Sequence, residues 1–133
     1  MILRDYILFQ FVILMLLKHF ICEYILQTAA MSASKWRYGS WLSVKHTLHH
    51  VFGTMVVLLI FKIDPIIISV VLIGEALLHY HIDWVHMHFG PYSYKDKRYW
   101  QWLGAEQFAH QLTVILIMIF LIETNSIVLD IPF

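Results

Sequence analysis

Four apolar stretches of this 133-residue chain each carry two metal-ligand residue types four positions apart: His19 and Glu23, His46 and His50, His79 and Asp83, Glu106 and His110. In a helix that spacing puts both members of a pair on one face. An ionisable group that faces lipid costs roughly 2.5–3.5 kcal/mol on insertion scales, so the pairs must turn toward one another. The chain is thereby constrained to a small helical assembly with its polar faces inward, the reverse of a water-soluble bundle.

Composition agrees with a membrane setting. Hydrophobic residues make up 60% and charged residues 14%, against about 45–50% apolar and about 25% charged in soluble domains. Net charge is zero, so no basic field marks nucleic acid as a partner. The single Cys22 rules out an internal disulfide. Spans are expected at 2–28, 42–63, 65–84 and 100–122, each near the ~20 residues that cross a bilayer core. The expected fold is all-α, an antiparallel bundle of four transmembrane helices forming one domain over 1–133. Pro65 suits the first turn of the third span, and Gly90-Pro91 ends its helix. The short Lys62-Ile63-Asp64 link makes spans two and three a tight hairpin. Arg4, the apolar run and Ala29, Ala30 and Ala33 give the first span a signal-peptide look. Yet His19, Glu23 and Gln27 interrupt it at helical spacing, which a cleaved segment would not need, and it is read as retained.

Basic residues set orientation. Lys35, Arg37 and Lys45 follow span one, and Lys95, Lys97 and Arg98 follow span three, whereas the opposite side has Arg4 and Lys62. Loops 30–42 and 89–99 are therefore expected to be cytoplasmic, with both termini outside, in an inner or cytoplasmic membrane. Trp36, Trp41, Trp84, Trp100 and Trp102 mark the same interface.

Following alternate spans across the bilayer sorts the pairs into layers. His19, His50, His79 and His110 form a deep layer; Glu23, His46, Asp83 and Glu106 form a shallow one, a helical turn of ~5.4 Å away. Imidazole and carboxylate together suit a divalent transition metal, zinc or iron, as one ion or two. The expected ligands are His46, His50, His79, Asp83, Glu106 and His110. His19 and Glu23 complete the site as catalytic groups, one of them as general base, while Gln27, Glu75 and Gln107 orient the ligands from behind. A proton or ion path and a hydrogen-bonded structural network satisfy the same inward constraint, although the apolar stretches 51–60 and 114–121 disfavour a conduit. His49, His81, His86 and His88 read as interfacial or loop histidines. Lys18 lies off the His19 face and is expected to snorkel or pair with an acid, and Cys22 to pack. The reading that follows is a metal-dependent hydrolase acting on a lipid or phosphoester at the interface, with the bilayer, and a lipid substrate within it, as partners. The alternatives are a non-enzymatic membrane factor, such as an interaction or exclusion protein, and an oxidoreductase. The oligomeric state stays open.

Two resemblances bear on this. His46-Thr47-Leu48-His49-His50 resembles the HxxHH box of membrane fatty-acid hydroxylases and desaturases, which implies di-iron chemistry, although no second such box follows. More extensively, His19-x3-Glu23-x3-Gln27-Thr28 with Met31 and Lys35, then His46 and His50, Leu78-His79-Tyr80-His81-Ile82-Asp83 and Gly104-Ala105-Glu106-Gln107-Phe108-Ala109-His110-Gln111-Leu112-Thr113 resemble the small integral membrane proteins of bacteria and tailed phages grouped as domain of unknown function family 3307. That family usually has Asp where this chain has Glu23 and Glu106. The resemblance implies a membrane fold and these site positions, and no particular reaction.

Overall fold

The computed structural model describes the backbone of residues 2–127 and the side chains of residues 5–127. The elements run α1 (Ile2–Phe20), a π-helical turn (Ile21–Ile25), α2 (Ala29–Ser34), α3 (Trp41–Ile60), α4 (Pro65–Phe89) and α5 (Lys97–Glu123). Three segments are long and apolar enough to cross a membrane: Asp5–Ile25, Pro65–Phe89 and Lys97–Glu123. The expectation of four such spans is corrected at α3. That helix has 20 residues, but Lys45, His46, His49 and His50 crowd its first half and lower its hydropathy below that of a self-sufficient span. The first span is also shorter than 2–28, because regular helix stops at Phe20 and the π turn ends at Ile25. The third and fourth are longer than expected, reaching Phe89 and starting at Lys97.

Local chemistry accounts for the boundaries. Thr28 caps α2, its hydroxyl accepting from the Met31 N–H at 3.2 Å. Asp64 caps α4 through the Ile66 N–H at 2.8 Å, with Pro65 in the first turn, where a missing donor costs nothing. Asp96 caps α5 through the Arg98 N–H at 2.9 Å. Between α3 and α4 the chain reverses through Lys62, whose φ of 54° is left-handed. At the end of α4 the Gly90 N–H returns to the His86 carbonyl at 2.8 Å. A Cβ at Gly90 would stand 2.5 Å from that same backbone oxygen, so this turn requires glycine.

Helix α1 packs on α3 and α5, and α4 packs on the same two, so the long helices close a ring with α1 across from α4. The interior is divided along its length. One half is apolar, with Phe11, Met15, Leu58, Val71, Ile117 and Leu121 in a single cluster. The other half holds Glu23, His46, His50, His79, Asp83, Glu106 and His110, all buried. The outer surface is apolar, with Phe9, Leu17, Phe52, Leu59, Ile73, Phe108 and Leu116 exposed. Water would oppose such an inside-out distribution, and a bilayer favours it.

Helices α1 and α3 approach closely at Gly53, where a Cβ would lie 2.5 Å from Lys18 Cγ and 2.8 Å from Cδ. The lysine cannot swing away freely, because its ammonium is 2.6 Å from Glu75 on α4. Gly53→Ala is therefore expected to destabilise the protein by about 1–3 kcal/mol through overpacking. Gly74→Ala, where nothing lies within 4 Å, should be neutral or slightly stabilising, because alanine is the better helix former. Thermal unfolding of the two variants in detergent checks this; equal midpoints would show that the approach is not tight.

Candidate metal centre

The four histidines of the deep layer converge. Ring centroids are 5.2 Å apart for His19 and His50, 3.8 Å for His50 and His79, 4.2 Å for His79 and His110, and 5.2 Å for His110 and His19. Each comes from a different long helix, so the ring ties the assembly together around its centre. His19 Nε2 pairs with Gln107 Oε1 at 3.0 Å across the α1–α5 contact.

The shallow groups close on that ring from one side. Glu23 Oε2 stands 3.1 Å from His46 Nε2 and 3.4 Å from His50 Nε2, and His46 Nε2 is 3.4 Å from His79 Nε2. Ligands about 2.0–2.1 Å from a tetrahedral zinc stand roughly 3.4 Å from one another. Glu23, His46, His50 and His79 thus offer four buried ligand atoms, all within 4.8 Å of one another, and the three contacts of 3.1–3.4 Å among them are separations a single ion would bridge. His79, Asp83 and His110 form a second such group, with His110 Nε2 3.0 Å from Asp83 Oδ1. His79 belongs to both groups, and one imidazole nitrogen serves one ion at a time. His50 gives a further sign of fit. Its ring is 0% exposed, and neither of its nitrogens has a hydrogen-bond partner among the described residues. Burying such a group unsatisfied costs about 1–3 kcal/mol, and an ion at Nε2 would remove part of that cost.

The π turn makes this possible for Glu23. Its hydrogen bonding, Leu26 N–H to Ile21 carbonyl at 2.9 Å, inserts an extra residue into the turn. The segment then breaks before Thr28, and α2 begins in a new direction. Lys35, at the end of α2, is turned into the cluster. Its ammonium donates to Glu23 Oε1 at 3.0 Å, lies 3.0 Å from Asp83 Oδ2 and reaches to 3.9 Å from Glu106 Oε1. Burial by itself would push this ammonium's pKa down, but the carboxylates of Asp83, Glu23 and Glu106 outweigh it and hold it above the usual lysine range. A contact between Ser34 Oγ and Ser43 Oγ at 3.1 Å pins α2 to α3 beside it.

Several expectations need correction. Lys35 is a buried partner of the shallow carboxylates and not a loop charge in headgroups. His86, read as a loop histidine, is buried, with Nδ1 2.6 Å from Glu106 Oε2 but off the line of a straight hydrogen bond. Of the HxxHH histidines, only His46 and His50 enter the cluster. His49 offers Cys22 Sγ its backbone carbonyl at 3.4 Å, and its ring is not among the grouped ligands. Gln27 lies beyond the π turn, outside any helix, and its Oε1 is buried without a partner among the described residues. Glu75 does not support the histidines directly. It pairs with Lys18 at 2.6 Å, and Lys18 in turn lies 3.5 Å from the His50 carbonyl. His81 and His88 sit in an exposed aromatic cluster: His81 Nε2 contacts the Tyr38 hydroxyl at 3.1 Å, and His88 stacks on Trp84 at 4.7 Å. Helical spacing signalled the paired positions. Met31 and Lys35 also stand four apart on α2, and both are buried, so the same spacing was the available signal for Lys35. For His86, the seven-residue interval from His79 marked the shared face.

A family model described as Protein of unknown function (DUF3307) matches residues 11–132, and the chain belongs to that family. No curated protein and no solved structure matches it.

Removing Lys35 would leave Glu23 and Asp83 buried without their shared cation. Lys35→Met is expected to cost about 3–5 kcal/mol, a fall of roughly 10 °C or more in the unfolding midpoint. Arg37→Met, at an exposed position, should leave it unchanged. A midpoint that is the same in both variants and the parent would show that Lys35 does not sit among the carboxylates.

Proposed function

We propose that this member of the DUF3307 family crosses the membrane with all four long helices and holds a divalent transition metal in its His/carboxylate cluster, with zinc ahead of iron. Three of the helices are apolar enough by themselves. Helix α3 joins them because its polar groups are turned inward, with His46 and His50 at 0% exposure, while Leu48, Phe52 and Leu59 face outward. The observation that carries the metal reading is the set Glu23, His46, His50 and His79, whose spacing suits one tetrahedral ion.

The reaction proposed is hydrolysis of an ester or phosphoester of a membrane lipid. With three of these four side chains as ligands and the fourth position left to water, such an ion would supply a Lewis acid for the scissile oxygen and a water of pKa lowered toward ~7. The rest falls to the chain's own side chains. Glu23, expected with His19 to be a catalytic group, is better suited by its position to hold the ion. His19, fixed through Nε2 by Gln107, is the group assigned to carry the proton. Water adds across the bond, its hydroxyl going to the acyl or phosphoryl centre and its proton through His19 to the departing alcohol oxygen. Lys35 offers fixed positive charge where an oxyanion would develop.

Elemental analysis of detergent-purified protein tests the metal. One ion per chain is expected in the parent. His50→Ala and His79→Ala should lose it almost entirely, and Gln107→Ala should weaken affinity by the ~10–100-fold typical of groups that orient a ligand. Added zinc should also restore part of the stability lost in Lys35→Met, since both cations neutralise the same carboxylates. A parent protein that stays metal-poor after supplementation, with no difference among variants, would leave an ion network centred on Lys35 as the better account of the cluster.

Orientation is proposed with loops 30–42 and 89–99 cytoplasmic. Lys35 no longer counts as a loop charge, which leaves Arg37, Lys45, Lys95, Lys97 and Arg98 on that side against Lys62 and Arg4, the latter's side chain lying outside the described residues. A cysteine at the exposed position Ser93 should be inaccessible to a membrane-impermeant thiol reagent in intact cells and labelled after lysis. Labelling in intact cells would reverse the orientation.

A further inference from the structure

A groove of about 470 Å³ runs along the contact of α4 and α5 on the outside of the bundle. It exists because Ala105 and Ala109, one turn apart on α5, leave α5 low opposite Leu78, Ile82 and Val85 on α4. Its mouth opens sideways, where Leu77 is 58% exposed. Both flanking helices are apolar enough to cross a membrane, so the mouth faces acyl chains and not water. A featureless lipid-facing groove would be apolar from end to end. This one is apolar apart from His81, exposed on its α4 wall, and an ionisable floor at one end, where His86 and Glu106 lie close together and each is more than nine-tenths buried. Trp102, a residue type favoured at headgroup depth, closes the same end. The floor is continuous with the cluster, since Glu106 Oε1 lies 3.9 Å from the Lys35 ammonium that bridges Glu23 and Asp83.

We propose that the α4–α5 groove seats one acyl chain of a membrane phospholipid, placing the chain's ester beside His86 and Glu106. An apolar channel with a few convergent polar groups at one end is the general form of a small-molecule site between helices. The groups suit an ester: an imidazole able to donate to its carbonyl and, behind it, the positive charge of Lys35. Lateral access from the bilayer would bring the ester to the cluster without passing the chain through water. This seat gives the lipid hydrolysis proposed above its substrate, and it rests on that reading for the purpose of the seat, though not for its occupancy.

Photo-labelling tests it. Protein is reconstituted in vesicles of phosphatidylethanolamine and phosphatidylglycerol with a trace of phosphatidylcholine carrying a diazirine on one acyl chain, irradiated and mapped by mass spectrometry. Label should concentrate on Ile82, Val85 and Ala109 relative to Phe52, which is exposed on the outer face of α3 away from the groove. Ala109→Phe fills the groove and should lower its labelling about tenfold, the equivalent of about 1.4 kcal/mol, while leaving bound metal and the label on Phe52 unchanged. Leu77→Trp, at the exposed mouth where core packing is not at risk, should do the same. Equal labelling of groove and outer face, or groove labelling that survives both variants, would overturn the seat. The same measurement on metal-stripped protein separates the two proposals: groove labelling should persist there, and loss of the seat on stripping would overturn its independence from the ion. A parent protein without metal would refute the metal centre while the labelling still decided the seat.

Discussion

Three carboxylates, Glu23, Asp83 and Glu106, are held out of water inside a ring of helices, and the rest of the structure is arranged to give them partners there. Each buried ion carries an effective penalty of several kcal/mol unless it is closely paired. Lys35 meets all three, the imidazoles of His46, His50, His79 and His110 supply the next contacts, and His86 sits against Glu106. No single helix could provide this. It takes the π turn to set Glu23, the break at Thr28 to redirect the chain, and the single turn and a half of α2 to bring Lys35 back beneath it.

The bundle separates holding together from holding charge. Its apolar half, built on Phe11, Met15, Leu58, Val71, Ile117 and Leu121, gains little from hydrophobic exclusion where lipid is the solvent, and relies on close packing instead. Lys18 and Glu75 mark the boundary between the halves, an ion pair linking α1 to α4 across the ring's diagonal, with room made for the lysine stem at Gly53. On the side of the cluster, the ends of α3, α4 and α5 and the whole of α2 bring polar and aromatic groups together. The α4–α5 groove meets the cluster there, so the surface is open beside the most polar part of the interior.

A ring of four imidazoles with stacked and tilted contacts is compatible with an ion or with a hydrogen-bonded network, and Lys35 is what makes the difference measurable. A divalent ion and an ammonium compete for the same negative charge. If the ion is resident, the lysine tunes its affinity; if it is not, the lysine is itself the counter-ion on which the fold depends. The unpartnered nitrogens of His50 and the near-tetrahedral spacing around Glu23 favour the first reading.

The sequence by itself determined that the protein is helical and that its polar pairs face inward. Those conclusions rest on local rules, the period of the helix and the cost of charge in an apolar stretch, which read directly from His19 and Glu23 through Glu106 and His110. Layering followed from the alternation of helix direction, and the convergence of His19, His50, His79 and His110 agrees with it. Tertiary structure decided what periodicity could not. Glu23 falls in a π turn and Gln27 leaves the helix, because a helix end is set by competing packing and not by spacing. Helix α3 is less apolar than a span that stands alone, since its neighbours cover its histidines. Lys35 reads as a loop residue because the residues just before it are polar or small, and His86 because it lies past the expected end of the third span at 84, yet both turn inward, drawn by carboxylates on other helices. A charge at the end of a short helix has no local signature for the partner it will meet; only the folded arrangement of Glu23, Asp83 and Glu106 supplies one.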